Sequence, residues 1–303
     1  MICLLLPASV TTGAGETVNV VPMPVSIESN NGQFVITPST QVLARGEAAT
    51  EASKLISMLA PAMGHRLRLL ERASEGQNLI RLELESSLKE LLGEEGYELE
   101  VTVRSVTIRA ARPPGLFYGI QTLRQLLPPA VFNKDKIEGI QWSVPCVRII
   151  DYPRFEWRGL LIDPARHFIP VEDVERFIDT MALHKFNRLQ IHLTDDQGWR
   201  IEIRKYPKLT EIGSPMDFTT MRQEDTGADR SRAGGYYSQQ DIRHLVRYAA
   251  DHHVTIVPEI EMPAHTGAAI VSYPRIGLYP GKLSALAPSK RWTANERVLA
   301  PRP

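Results

Sequence analysis

His192-Leu193-Thr194-Asp195-Asp196-Gln197-Gly198-Trp199-Arg200 begins as an apolar strand and breaks into two acids, a glycine and a tryptophan. Pro258-Glu259-Ile260-Glu261-Met262-Pro263-Ala264-His265-Thr266 repeats the design, with an apolar strand running into acids, a tight turn and a histidine. Strands that end this way put polar side chains on one rim, which is how the mouth of a parallel β/α barrel is built. Working outward, residues 159–163 make another short apolar strand that ends in Asp163, with Arg166 and His167 just beyond. Residues 171–184 predict an amphipathic helix with Glu172 and Asp173 in its first turn, where the helix dipole favours acids. Ser238 is a good N-cap for a second helix over 239–252. A strand over 254–260 and a short helix over 266–272 follow. Strand, helix, strand, helix, strand is the alternation of a parallel sheet.

Upstream the rhythm differs. Short alternating runs predict strands at 34–37, 41–44, 79–85, 97–103 and 106–110. Residues 47–63 carry Ala48, Ala52, Leu55, Ile56 and Leu59 near helical spacing, and residues 115–127 place Leu116, Ile120, Leu123 and Leu127 on one stripe. Strands mixed with two helices give an α+β domain, and nothing in it has catalytic spacing. The boundary falls near Asp151-Tyr152-Pro153-Arg154. The expected fold class is therefore α/β: an N-terminal α+β domain over 18–151, then an incomplete (β/α)8 TIM barrel of about three βα units over 152–280.

The ends read differently again. Ile2 to Leu6 is an apolar run followed by small residues, so residues 1–17 resemble the end of a secretory signal without its positive leader. Export to the periplasm or outside the cell is the expectation. Residues 281–303 hold Lys282, Lys290, Arg291, Arg297 and Arg302 against Glu296 and show no period, which predicts a divergent, weakly ordered tail.

Composition narrows the function. Lys+Arg and Asp+Glu are both 35, a balance that argues against general binding to nucleic acid or to an anionic membrane. With only Cys3 and Cys146, a disulfide scaffold and a four-cysteine zinc site are both excluded. Cys146, in an apolar stretch, reads as an inert core residue.

Three strand ends then offer chemistry: Asp163, Arg166 and His167; His192, Asp195 and Asp196; Glu259, Glu261 and His265. Arg166 can present a rigid fork of donors to sugar hydroxyls or a carboxylate. An Asp beside a His can fix its tautomer. Plainer roles exist for several of these residues. Asp163 could brace the rim, Glu259 could be a buried paired carboxylate, and Trp199 could line a subsite or cover the barrel edge. His192, alternating with Ile191 and Leu193, reads as a satisfied interior histidine. Such donors could also bind zinc. But His192, Asp195 and His265 lie on separate elements without local ligand spacing, so no metal and no cofactor is expected.

Four ordered motifs carry a resemblance: Trp157-Arg158-Gly159-Leu160-Leu161-Ile162-Asp163-Pro164-Ala165-Arg166-His167-Phe168, the run from His192 to Arg200, Gly234-Gly235-Tyr236-Tyr237, and the run from Pro258 to Thr266. Together they resemble the family 20 glycoside hydrolases, the β-N-acetylhexosaminidases. Phe117-Tyr118-Gly119-Ile120-Gln121-Thr122-Leu123-Arg124-Gln125-Leu126 is similar to the end of that family's N-terminal domain. The likeness spans residues 18–275. It implies release of terminal β-linked N-acetylglucosamine or N-acetylgalactosamine from glycans or chitooligosaccharides. It also implies a substrate-assisted, retaining mechanism, an exception to the scheme with two protein carboxylates. By the same likeness, Arg166 matches the arginine that grips sugar hydroxyls. Asp195 and His265 match the pair that supports the catalytic acid, with Asp163, His167, Asp196 and Glu261 as further supporting candidates.

The family's acid and its acetamido-orienting partner form an Asp-Glu pair on a later strand, and no Asp-Glu dipeptide occurs in this sequence. Fewer residues follow Phe155 than the about 250 of a typical barrel. The expectation is a truncated chain that is inactive by itself. Two alternatives stand beside it: a non-catalytic sugar-binding or structural remnant, and a metal-dependent barrel hydrolase.

Overall fold

The computed structural model describes residues 18–72, 78–214, 234–279 and 298–300. The chain divides into two compact units, residues 1–156 and 157–303.

The first unit is built on one mixed sheet. Its elements in chain order are β1 (Ser26–Val35), β2 (Gln41–Leu43), α1 (Glu47–Met63), β3 (Arg68–Leu70), β4 (Leu79–Leu84), the single turn α2 (Lys89–Leu92), β5 (Tyr97–Val101), β6 (Ser105–Ala110), α3 (Pro113–Leu126) and β7 (Ser143–Asp151). The strand order is β1-β7-β5-β6-β4-β2-β3. Pairing is antiparallel from β1 to β6 and parallel from β6 to β3. Helices α1 and α3 lie against the sheet. The expected stripe of α1 is buried in full, Ala48, Ala52, Leu55, Ile56 and Leu59 all being at most 4% exposed. Gly119 lets α3 come close: a Cβ there would meet Ile108 Cγ2 at 2.5 Å. The Tyr97 hydroxyl, buried between sheet and helix, lies 2.5 Å from Thr122 Oγ1 and donates to Asp151 Oδ2 at 3.1 Å. Burial and the facing carboxylate push its pKa well up, so it stays a neutral donor.

The second unit holds β8 (Gly159–Ile162), α4 (Val171–Leu183), β9 (Arg188–His192), the turn α5 (Lys208–Glu211), α6 (Gln239–Asp251), β10 (Thr255–Glu259) and α7 (Gly267–Ser272). Its sheet runs β8-β9-β10, and both pairs are parallel. Ser238 caps α6 with a capping box: its hydroxyl accepts from Asp241 N at 3.1 Å, and Asp241 Oδ2 accepts from Ser238 N at 2.8 Å. On β9 alternate residues take opposite faces. Leu189, Ile191 and Leu193 pack with Ile162 against Val174, Ile178 and Met181 of α4 and Leu245 and Ala249 of α6. Each of the larger side chains contributes roughly 1.5–3 kcal/mol by leaving water. Gln190 and His192 face the other way.

Both helices enter their strands through the same joint. Lys185 and His253 take left-handed backbone, with φ of 62° and 56°. The next amides close the helix ends, Phe186 N donating to Met181 O at 2.9 Å and Val254 N to Ala249 O at 2.8 Å. Among the described residues, β8 and β10 each pair on one side only. Leu161 on β8 is 51% exposed, whereas central β9 is largely buried.

Residues 1–17 and most of 281–303 lie outside the described residues. Within the stretch expected to be weakly ordered, Leu299 N donates to Pro263 O at 2.8 Å and Ala300 N to Ile276 O at 2.8 Å. No helix among the described residues is long and apolar enough to cross a membrane.

Candidate active site

The parallel register places the ends of β8, β9 and β10 side by side. Glu259 is level with His192, and Ile162 with Ile191, one residue short of Asp163. On this rim acidic and basic residues alternate. His192 Nδ1 lies 3.1 Å from Asp163 Oδ1. Asp163 Oδ2 accepts from Arg166 Nη1 at 2.7 Å. Arg166 Nη2 is 2.8 Å from Asp195 Oδ2, an ion pair in which the N–H does not point squarely at the oxygen. Asp195 Oδ1 is 3.0 Å from His265 Nδ1. Asp195 is buried, while Arg166 and His265 are half exposed. An acid is thus fixed from behind, and its arginine and histidine partners face outward. Partial burial works against the Arg166 charge, yet Asp195 and Asp163 hold its pKa above the ordinary value.

The backbone is shaped to aim these groups. Arg166 N donates to Asp163 Oδ1 at 3.1 Å, closing the turn that swings Arg166 back over β8. His265 has φ of 54°, a left-handed conformation sparsely populated outside glycine. Asp196, also buried, accepts from Gly267 N at 3.0 Å and so ties the end of β9 to the start of α7. Glu261 N donates to Thr194 Oγ1 at 2.9 Å.

Asp163, Arg166, Asp195 and His265 are therefore brought together, with Asp196 and Glu261 beside them. His167 is not: its side chain is exposed and makes no hydrogen bond or ion pair among the described residues. The turn that directs Arg166 toward Asp195 carries the following residue out to solvent. His192 differs too. Its Nε2 is buried and has no hydrogen-bond partner, and it faces Asp195 Oδ2, Glu259 Oε1 and Glu261 Oε1, each at 3.9 Å. A satisfied interior histidine is not what the fold makes of it, because the registered neighbours of β9 are carboxylates.

Sequence reasoning gave Arg200 no role. It is fully buried, and its guanidinium donates to Pro164 O at 2.9 Å, Ala165 O at 3.2 Å, Ser214 O at 2.6 Å and Gly235 O at 3.0 Å. One cation therefore holds the loop after β8, the backbone at 214 and the backbone at 235. Burial pulls its pKa down to about 10, partly offset by Tyr237 and Asp163, so it keeps its charge at neutral pH. Tyr237 beneath it donates to Ile169 O at 2.6 Å, and its ring lies 5.1 Å from that of Phe168.

Residues 155–303 match the family described as glycosyl hydrolase family 20, catalytic domain, and residues 17–152 match glycosyl hydrolase family 20, domain 2. The first match runs on to residue 303, past residue 275, where the likeness read from the motifs ends. A β-hexosaminidase of Porphyromonas gingivalis is 38% identical over 264 residues, covering 87% of this chain and 32% of that protein. A β-N-acetylhexosaminidase of Cellulomonas fimi is 31% identical, covering 84% of this chain and 48% of that protein. The solved structure of the Streptomyces plicatus N-acetyl-β-hexosaminidase in complex with Thio-NAglucal superimposes with a TM-score of 0.78 at 38% identity, over 93% of this chain and 52% of that one. The chain spans about half the length, or less, of these relatives.

Proposed function

Because this chain belongs to the family 20 glycoside hydrolases, we propose that the enzyme it forms part of releases terminal β-linked N-acetylglucosamine or N-acetylgalactosamine from glycans or chitooligosaccharides by substrate-assisted, retaining hydrolysis. The observation that carries this reading is the linked set Asp163–Arg166–Asp195–His265 on one strand-end rim. The half-exposed Arg166 fork is suited to two neighbouring sugar hydroxyls, with Asp163 and Asp195 holding its plane. Asp195, anchored by Asp196 N and Gly198 O, fixes the tautomer of His265 through Nδ1. Nε2 of His265 is then left to meet the carboxyl group that protonates the leaving oxygen. In the family mechanism the acetamido oxygen of the substrate attacks the anomeric carbon, so the protein supplies no nucleophile.

The parallel unit reads as three βα units of an eight-fold barrel. Consecutive strand order and polar residues gathered at strand C-terminal ends support that reading. No Asp-Glu dipeptide lies in these 303 residues. The polypeptide by itself is therefore expected to bind sugar without turning it over, since losing a general acid alone costs about 10²–10⁴-fold in rate. The lack of that dipeptide equally favours a non-catalytic sugar-binding role as the second reading. The signal-like run at Ile2 to Leu6 supports export.

Calorimetric titration of the 303-residue polypeptide with N-acetylglucosamine is expected to show a defined affinity that is lost in Arg166→Ala. Hydrolysis of a chromogenic N-acetyl-β-glucosaminide should be absent. Binding that survives Arg166→Ala would remove the role given to this residue. Turnover at ordinary enzyme rates would show that the general acid lies within this polypeptide after all.

A further inference from the structure

We propose that His192, Glu259 and Glu261 form a binding site for a divalent transition-metal ion of the zinc class, at the floor of the rim and separate from the sugar-facing residues. One histidine nitrogen and one oxygen of each glutamate lie within 4.8 Å of one another. The observation that singles out this cluster is His192 Nε2. The side chain is 6% exposed, and Nε2 has no hydrogen-bond partner although three carboxylate oxygens stand 3.9 Å away. Carboxylates carry no proton to donate to a ring lone pair. With its lone pair on Nε2, a buried ring aimed into three of them makes a set of donors that a cation between them would complete.

The surroundings are those of a metal-binding histidine. Nδ1 stands 3.1 Å from Asp163 Oδ1, close enough for a small ring rotation to make that carboxylate the outer partner that such rings use. Glu259 is steadied in the same way, its Oε2 accepting from Gln190 Nε2 at 2.7 Å. Of the three nearby acids, Asp195 is already engaged by Arg166, which leaves the two glutamates to join His192. One imidazole and two carboxylates suit zinc and its neighbours in the first transition row. Donor atoms around tetrahedral zinc are about 3.3 Å apart, so each glutamate oxygen must approach Nε2 by about half an ångström and the set, now within 4.8 Å, must draw together. Both are partly exposed, 25% and 29%, and can swing inward. The ligands come from adjacent strands in register, Glu259 level with His192, which is why no sequence spacing announces them.

The test is titration of the chelator-treated 303-residue chain with zinc chloride, followed by calorimetry and by thermal unfolding. The expected result is one zinc per chain and a midpoint that climbs with zinc concentration. Glu261→Gln and His192→Asn should each weaken binding by more than about tenfold. Asp163→Asn should weaken it by about 10–100-fold, as loss of an outer partner does. His265→Ala should leave it intact. Far-UV circular dichroism establishes that each variant folds, and the isosteric Glu259→Gln stands in for any that does not. No zinc uptake by the unaltered chain overturns the proposal. So does uptake indifferent to both glutamates and His192, or uptake that depends on His265. None of these readouts depends on sugar binding, so the outcome is independent of the glycosidase reading.

Discussion

Gly198 is small because Arg200 leaves it no room. A Cβ at residue 198 would sit 2.4 Å from Arg200 Cζ, and that guanidinium cannot step aside while four carbonyls hold it. Gly198→Ala is accordingly expected to cost about 1–3 kcal/mol, the usual penalty of overpacking, and Arg200→Met more, since it strands buried carbonyls. Denaturant unfolding midpoints would measure both, and an unchanged midpoint in Gly198→Ala would mean that the staple is loose. At this scale the sequence is legible only where side chains meet side chains. Asp163, Arg166, Asp195 and His265 could be read because acids, arginine and histidine gather at strand ends. Arg200 could not, because its partners are backbone carbonyls, which carry no residue signature. The orphaned nitrogen of His192 was equally hidden, because its neighbours come from the next strand.

The two joints that lead from α4 into β9 and from α6 into β10 each force a side chain into left-handed backbone, at Lys185 and His253. Glycine adopts that conformation without the Cβ clash. His253→Gly should therefore raise stability by about 0.5–1 kcal/mol, visible as a higher thermal midpoint. A fall would show that the imidazole itself is needed there. Elements with a buried stripe were the readable ones: α1 begins and ends where its periodicity says, and Ser238 caps α6 as its residue type suggests. Strand β1 was recognised only at its last residues, because Ser29 to Gln33 interrupt its register and most of its side chains are exposed. Strand β7 was seen as an apolar stretch and not as a strand. Its burial on both faces, with Cys146 and Val147 inside, erases the alternation that marks a half-buried strand.

Taken whole, the molecule carries 35 positive and 35 negative side chains and has little charge to keep copies apart. Leu161 is half exposed on β8, beside an edge that is unpaired among the described residues. Such edges template association between chains. Concentration-dependent light scattering at neutral pH is the expected behaviour, reduced by Leu161→Lys with the circular dichroism spectrum preserved. Equal scattering from that variant would place the sticky surface elsewhere. The alignment of β10 on β9 has a last consequence for how such a chain matures. Side chains alternate between the helix layer and the rim, so sliding β10 by one residue would send Glu259 toward the apolar helices and pull Ile256 out of them. A mispaired copy would thus forfeit its hydrophobic interior in the same movement that scrambles its polar floor. The burial that selects the right register therefore also seats Glu259 beside His192.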